Sequence, residues 1–235
     1  MTHSDAREEI IRTLRKSLRR EALPPETLAD LQNRLLHPER GVIPRQAQGT
    51  HAALVERFTE KAVAAQASVA HLSSLEQVPR TVALFAREHS FPARALLPHQ
   101  SRLHAMEWAQ AEVETATGSP ARNCPLGVTA CFAAIAESGT VMVHSGPGHP
   151  HALHIVPETL LVVVTENQIV GAYEDALDLA RARLRHNAWP RIISWITGPS
   201  RTADIAGVIL FGAHGSRRIH ILLIDSDDPC SGEST

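Results

Sequence analysis

The 235-residue chain predicts an α/β protein: an open, largely parallel sheet with helices on both faces, preceded by an N-terminal helical arm. Three observations predict it. Strand-like apolar runs recur along the chain, and LLVVV (160–164) is continuous, as in a strand buried on both faces. Between such runs, apolar residues recur at helical spacing, so helix and strand alternate along the chain. Gly, Ser and Thr gather where runs end, and in an open α/β sheet ligands bind where strands end. With 43% hydrophobic residues over this length, one sizeable core is expected.

The elements follow in order. Ile10, Ile11, Leu14 and Leu18 share one helical stripe within residues 5–20, with Ser4 or Asp5 as cap. Pro24-Pro25 breaks that helix, and PETLADLQNRLL restarts a second with Pro25 in its first turn. HPERGVIPRQAQG (37–49) reads as a linker, so residues 1–49 form an arm and linker that lies on the main domain or on a partner. The α/β domain is expected over 50–225. There, HAALVERFTEKAVAAQ is a helix, ASVAHL a strand, VPRTVALFAREHS a helix and ARALL a strand. Residues 101–120 suggest a short helix and a weak edge strand. GVTACFAAIAES (127–138) is expected to be a helix because Ala, Phe and Ile recur at helical spacing. TVMVHS and LLVVV follow as strands, and the Pro-rich turn between them allows a mixed or antiparallel pair. YEDALDLARARL is a helix, RIISWIT a strand, TADIAGVILF (202–211) a helix and RIHILLID a strand. The small, acidic tail 226–235 is expected to be mobile.

Composition removes several functions. A net charge of −2 and a pI near 6.7 give no overall attraction to nucleic acid or anionic lipid. RKSLRR (15–20) is more simply a solvated helix face. Only two lysines accompany 21 arginines, and none follows Lys61, so a Schiff-base or P-loop lysine is missing from every later turn. The three cysteines, Cys124, Cys131 and Cys230, form no C-x-x-C, so neither a ferredoxin pattern nor a zinc ribbon is present. Buried or half-buried thiols are the expected state of Cys124 and Cys131 rather than a disulfide. The first residues lack an apolar signal core, and no run is long enough to span a membrane. A soluble, cytoplasmic protein is the expectation.

Four segments could carry chemistry. Glu137-Ser138-Gly139-Thr140 reads as a helix end turning into a strand, with a carboxylate at the rim; the plain alternative is a capped turn. His144-Ser145-Gly146-Pro147-Gly148-His149-Pro150-His151 is an ordered turn whose amides could form an anion nest. Its histidines, with His154, lack a carboxylate or Cys at a recognisable ligand spacing, so no metal is assigned. Gly198-Pro199-Ser200-Arg201-Thr202-Ala203-Asp204 reads as strand, turn and helix start, with Ser200 as cap and Asp204 favoured by the helix dipole. Arg201 at such a place opposes that dipole and calls for an anion: phosphate, carboxylate or Glu137. His214, in Gly212-Ala213-His214-Gly215, could orient a carbonyl or exchange a proton; as a catalytic group it stands with Glu137 as a candidate. G-x-S-x-G and G-x-G-x-x-G are both absent.

Read in order, GVTACFAAIAESGT, HSGPGHPHALHIVPETLLVVV, NQIVG, ITGPSRTADI and GAHGSRRIHILLID resemble the LUD domain of the lactate-utilization protein C family, over Val69 to Asp225. The resemblance implies a fold like the NagB, ribose-5-phosphate isomerase and CoA-transferase group. It implies an accessory or substrate-binding subunit that works with two iron–sulfur proteins oxidising L-lactate to pyruvate. The clusters would sit in those partners, with no cofactor in this chain; a longer relative carries clusters beside its LUD domain. By position, Glu137, Gly139 and Thr140 match the family's A-E-[ST]-G-T. Ser145, Gly146 and Gly148 match its S-G-P-G-x-P, and Gly198, Ser200, Arg201, Thr202 and Asp204 its G-P-S-R-T-A-D-I. These enter as ligand-cleft residues for a small anion, in loops converging at one mouth of the sheet. Two alternatives stay open. One is an independent CoA-transferase-like enzyme, in which Glu137 of Glu-Ser-Gly resembles the carboxylate that attacks acyl-CoA. The other is a sugar-phosphate or nucleotide binder using Arg201.

Overall fold

A computed structural model describes residues 3–19, 23–99, 101–118, 125–184, 189–203 and 209–225. Two compact units result, Met1–Val42 and Ile43–Thr235. The first holds helices α1 (His3–Ser17) and α2 (Pro25–Leu36), the latter with Pro25 in its first turn, where a missing N–H costs nothing.

The second unit contains α3 (His51–Ala64), α4 (Val78–Glu88) and α5 (Tyr173–Leu184). Its main sheet has six strands: β1 (Ser68–Leu72), β2 (Arg94–Leu97), β3 (Glu114–Thr117), β4 (Leu126–Ala130), β7 (Thr159–Thr165) and β12 (Arg218–Ile224). The order is β1-β12-β7-β4-β2-β3, and every neighbouring pair is parallel. A second, four-stranded sheet runs β8-β5-β6-β9, from β5 (Ala133–Ile135), β6 (Thr140–His144), β8 (Ile169–Val170) and β9 (Ile193–Ile196). It is mixed: β6 is antiparallel to β5 and β9, and β5 is parallel to β8. A hairpin of β10 (Arg201–Ala203) and β11 (Ile209–Phe211) stands apart.

Alternation along the strands builds the layers. Leu161, Val163, Leu222 and Ile224 face α4, packing with its Val78, Val82, Phe85 and Ala86. Leu160, Val162, Ile221 and Leu223 face the other way, onto Phe58 and Ala62 of α3 and onto Ala134 and Val141 of the second sheet. The outer side of that sheet, Ala133, Ile135 and Met142, is covered by Ala176 and Ala180 of α5. Helices therefore flank the main sheet on both faces, and LLVVV is apolar throughout because both of its sides are buried.

Two expected helices are strands. Residues 127–138 hold most of β4 and all of β5, which bend at Cys131-Phe132 to pass from one sheet to the other. Alanine at 133 and 134 is there because β5 is packed on both faces, and that burial overrides its helix preference. The stretch TADIAGVILF is no continuous helix: Thr202 and Ala203 end β10, and Ile209–Phe211 pair back on it as β11. TVMVH and LLVVV do not pair with each other; they belong to different sheets. Short 3-10 turns at Arg102–Ala105 and the edge strand β3 match the expected short helix and weak strand. Cys124, Cys230, Asp204 and the 226–235 tail lie outside the described residues.

Candidate functional site

The turn Ala136–Gly139 joins β5 to β6 and sits on the last turn of α3. Gly139 has φ +67°, and a Cβ there would come within 2.2 Å of the Ala62 backbone nitrogen. Only glycine combines this left-handed conformation with so close an approach. Gly198 does the same one step along: φ +70°, with a Cβ 2.0 Å from the Ala65 carbonyl oxygen. Two of the motif turns are thus anchored on one helix end, next to where the chain enters β1.

Between these turns lies a hydroxyl network. Thr140 Oγ1 is 2.7 Å from Ser138 Oγ, 2.8 Å from the Tyr173 phenol oxygen and 2.7 Å from Thr197 Oγ1. Ser138 also donates to the Tyr173 oxygen at 3.0 Å. Register explains the meeting: β6 and β9 are antiparallel with Val141 opposite Ile196, so Thr140 and Thr197 are neighbours across the pair. Tyr173 and Thr197 were not singled out by sequence. The signal available for Tyr173 was that it is the one tyrosine in the chain, at the first position of a helix.

Glu137 is half-buried and already engaged. Its Oε1 accepts the Tyr173 backbone N–H at 3.2 Å, at the start of α5, where Asp175 Oδ2 also accepts the Ala172 N–H. Both carboxylates satisfy amides that a helix N-terminus leaves without partners, and both sit at the positive end of its dipole. Ser200 caps no helix: its N–H donates to the Ser216 carbonyl, and its own carbonyl accepts from Gly212. That brings the Gly212–Ser216 loop, with exposed His214, beside the Gly198–Arg201 turn; a Cβ on Gly215 would lie 3.3 Å from Ser200 Cβ. Arg201 opens β10 opposite Phe211 and is exposed, so the expected opposition to a helix dipole does not arise. Thr202 pairs with Leu210 and is half-buried.

Ser145, Gly146 and Gly148 are elsewhere. Thr140 opens the five-residue β6 and Ser145 directly follows its last residue, about 16 Å further along the chain direction. Ser145 Oγ joins the start of β9, accepting from the Ile192 N–H at 3.0 Å. Gly148 offers its carbonyl to His99 N–H, two residues past the end of β2, at 2.6 Å. This turn therefore stands at the carboxyl edge of the parallel sheet. The Gly198–Ser200 turn adjoins residues 216–218 and Glu158, at the amino edge, where β7 and β12 begin. The expected loops converge in two groups rather than at one mouth: Glu137, Gly139, Thr140, Gly198, Ser200 and His214's loop in one, Ser145, Gly146 and Gly148 in the other.

Around the second group are His144, His149, His151 and His154, with ring centroids of the first pair 6.5 Å apart and of the second 6.1 Å. Burial, with repulsion from His151, His149 and His144, holds His154 down at about 4. No group of three or more His, Cys, Asp or Glu among the described residues has the geometry to hold a metal ion. Cys131 is a free thiol, buried, and donates to the Ala133 carbonyl at 2.8 Å; burial pushes it up to about 12. At neutral pH it is neither a nucleophile nor a thiolate ligand.

Comparison with known proteins follows the same stretch of chain. The LUD domain family's model matches residues 55–224. A curated protein of Neisseria meningitidis serogroup B, named only as uncharacterized, is 31% identical over 142 residues, which are 60% of this chain and 59% of that protein. Lactate utilization protein C of Deinococcus radiodurans is 33% identical over 98 residues, 41% of this chain and 45% of that protein. Its Bacillus subtilis namesake is 30% identical over 105 residues, 44% of each. The chain thus spans about half the length of the curated relatives it matches. The crystal structure of a DUF162 family protein from Deinococcus radiodurans has the same fold, with a TM-score of 0.56 at 20% identity, covering 75% of this chain and 99% of that one. From the parallel sheet to the last strand the match is continuous, and the chain belongs to the LUD domain family.

Proposed function

We propose that this chain is a subunit of a lactate-utilization system, binding a small anion and docking on iron–sulfur partners that carry the electrons from L-lactate to pyruvate. Relatives bearing the name lactate utilization protein C support the process. The division of labour rests on cysteine chemistry. Three cysteines without a C-x-x-C do not make the ligand pattern of a ferredoxin-type cluster, which supports assigning the electron carriage to partner proteins.

The observation that carries the anion reading is the meeting of the Glu137–Thr140 and Thr197–Gly198 turns on the end of α3, around the Ser138, Thr140, Tyr173 and Thr197 hydroxyls. Hydroxyl donors with a nearby exposed Arg201 suit a carboxylate. Glu137, tied to the start of α5, serves this site as a cap rather than as an acyl acceptor.

Deletion of the gene in a strain with no other lactate-oxidising system tests the process. Loss of growth on L-lactate, restored by the wild-type gene and poorly by Arg201→Ala, is the expected result. Unimpaired growth of the deletion strain rejects the proposal. Affinity capture of the tagged chain should bring down proteins with iron–sulfur absorbance; capture without such chromophores removes the docking part.

A further inference from the structure

The helices of the first unit carry apolar stripes that the lactate reading does not use. Along α1, Ile11, Leu14 and Leu18 recur at intervals of three and four, which places them on one edge of the helix, with Ile10 beside them. All four are exposed, from 37% at Ile11 to 62% at Leu18. On α2, Leu28, Leu31 and Leu35 repeat the same spacing, and no residue of that helix is buried. A helix of 15 residues is marginal alone in water and draws most of its stability from packing its apolar side. A stripe of this kind calls for a partner.

Charge selects the partner. In heptad terms Ile11 and Leu18 take position a and Leu14 takes position d, which puts Glu8 and Arg15 at the two e positions, on one rim of the seam. Both are exposed, and Arg15 lies in the last turn of α1. A matching surface carries a base opposite the acid and an acid opposite the base. A second α1 running antiparallel does so. With a two-fold axis between positions 12 and 13, Ile11 of each copy packs on Leu14 of the other. Arg7, at the preceding d position, lays its aliphatic stem over Leu18. In this register Glu8 of each copy meets Arg15 of the other, in two equivalent pairs. A parallel pair lacks the match, because it sets Arg15 against Ile10. The rim of α2, Pro25, Thr27, Gln32 and Arg34, carries a single charge and does not complement α1 in this way.

We propose that α1 is a self-association surface, pairing antiparallel with α1 of a second copy of this chain through Ile11 and Leu14, with the Glu8–Arg15 rim fixing the register. Two helices of about four turns make a seam smaller than the roughly 1,200–2,000 Å² of a standard interface, so the dimer dissociates on dilution. The surface does not depend on the lactate reading.

Sedimentation equilibrium of the purified full chain, with no other protein present, tests it. A reversible monomer–dimer equilibrium is expected, and Leu14→Asp should abolish the dimer. Glu8→Arg and Arg15→Glu each set like charges across the seam twice over, so each should weaken association by about tenfold or more. An equimolar mixture of those two variants re-forms both opposite-charge pairs and should associate like the wild type. All three positions are exposed, so melting temperatures should stay near the wild-type value. Monomer at every concentration overturns the proposal and leaves the stripe to the chain's own α/β domain or to another protein. It is equally overturned if Leu14→Asp leaves the dimer intact, or if the mixture associates as weakly as each variant alone.

Discussion

Glu137 shows how a residue in an active-looking motif can have a structural task. Its carboxylate holds the first amide of α5, so the two roles separate by substitution. Glu137→Gln keeps a side-chain oxygen and should change stability little. Glu137→Ala should cost about 0.5–2 kcal/mol, read as a lower urea midpoint at unchanged slope. An acyl-CoA adduct on the wild-type chain would instead assign covalent chemistry to this carboxylate. The glycines divide in the same manner. Gly139→Ala must fit a Cβ against the backbone of α3 in a left-handed conformation, so it should destabilise by more than about 2 kcal/mol or prevent folding. Gly146→Ala faces open space and should melt near the wild-type temperature. Calorimetry of the two variants checks the contrast.

Among the elements, α3 does the most joining: one side meets the main sheet, and its end seats both motif turns. Phe58 is fully buried between the two sheets. Phe58→Ala should cost about 3–5 kcal/mol in denaturant unfolding. Elements with one packed face were legible from sequence: α4, whose Val78, Val82, Phe85 and Ala86 face the sheet, follows helical spacing closely. β7 and β12 were legible for the opposite reason, through the unbroken apolar runs at 160–164 and 221–224. β5 was not, because a strand squeezed between two layers takes small residues, here Ala133 and Ala134, and alanine is the strongest helix former. The β10–β11 pair was missed because its strands, RTA and ILF, are three residues each, too short for a period-2 pattern to show. In the candidate site, sequence located the glycines, since their backbone demands are local. It could not supply Tyr173 and Thr197, which reach Thr140 from 33 and 57 residues away, the first from the start of α5 and the second through strand register.

At the scale of the molecule, two buried histidines couple folding to acidity. His154 and His220 are both held at about 4, by burial first, and then by neighbouring histidines: His151, His149 and His144 for the former, His89 for the latter. His220 Nδ1 lies 2.7 Å from Ser68 Oγ, and its ring is 4.7 Å from that of Phe85. In the unfolded chain each would titrate near 6.5, so between about 6.5 and 4 the unfolded state binds more protons. Stability should therefore be whole above pH 6.5, fall as pH drops toward 4, and lose nothing further from these groups below that. Melting temperatures across this range check it, and His220→Gln should flatten the slope.

The pairing of β12 with both β1 and β7 has a consequence for synthesis. The last described strand to leave the ribosome is an interior one, with parallel neighbours that precede it by about 150 and 60 residues. Until it arrives, β1 and β7 each present an unclosed edge of apolar backbone, and nascent chains with such edges associate with one another. Completion of the sheet waits on the final insertion, a slow, long-range closure of the kind that lowers folding rates. A cell making this protein must shelter an unfinished sheet for most of translation, and the step that ends that exposure is the zipping of residues 218–224 between strands made long before.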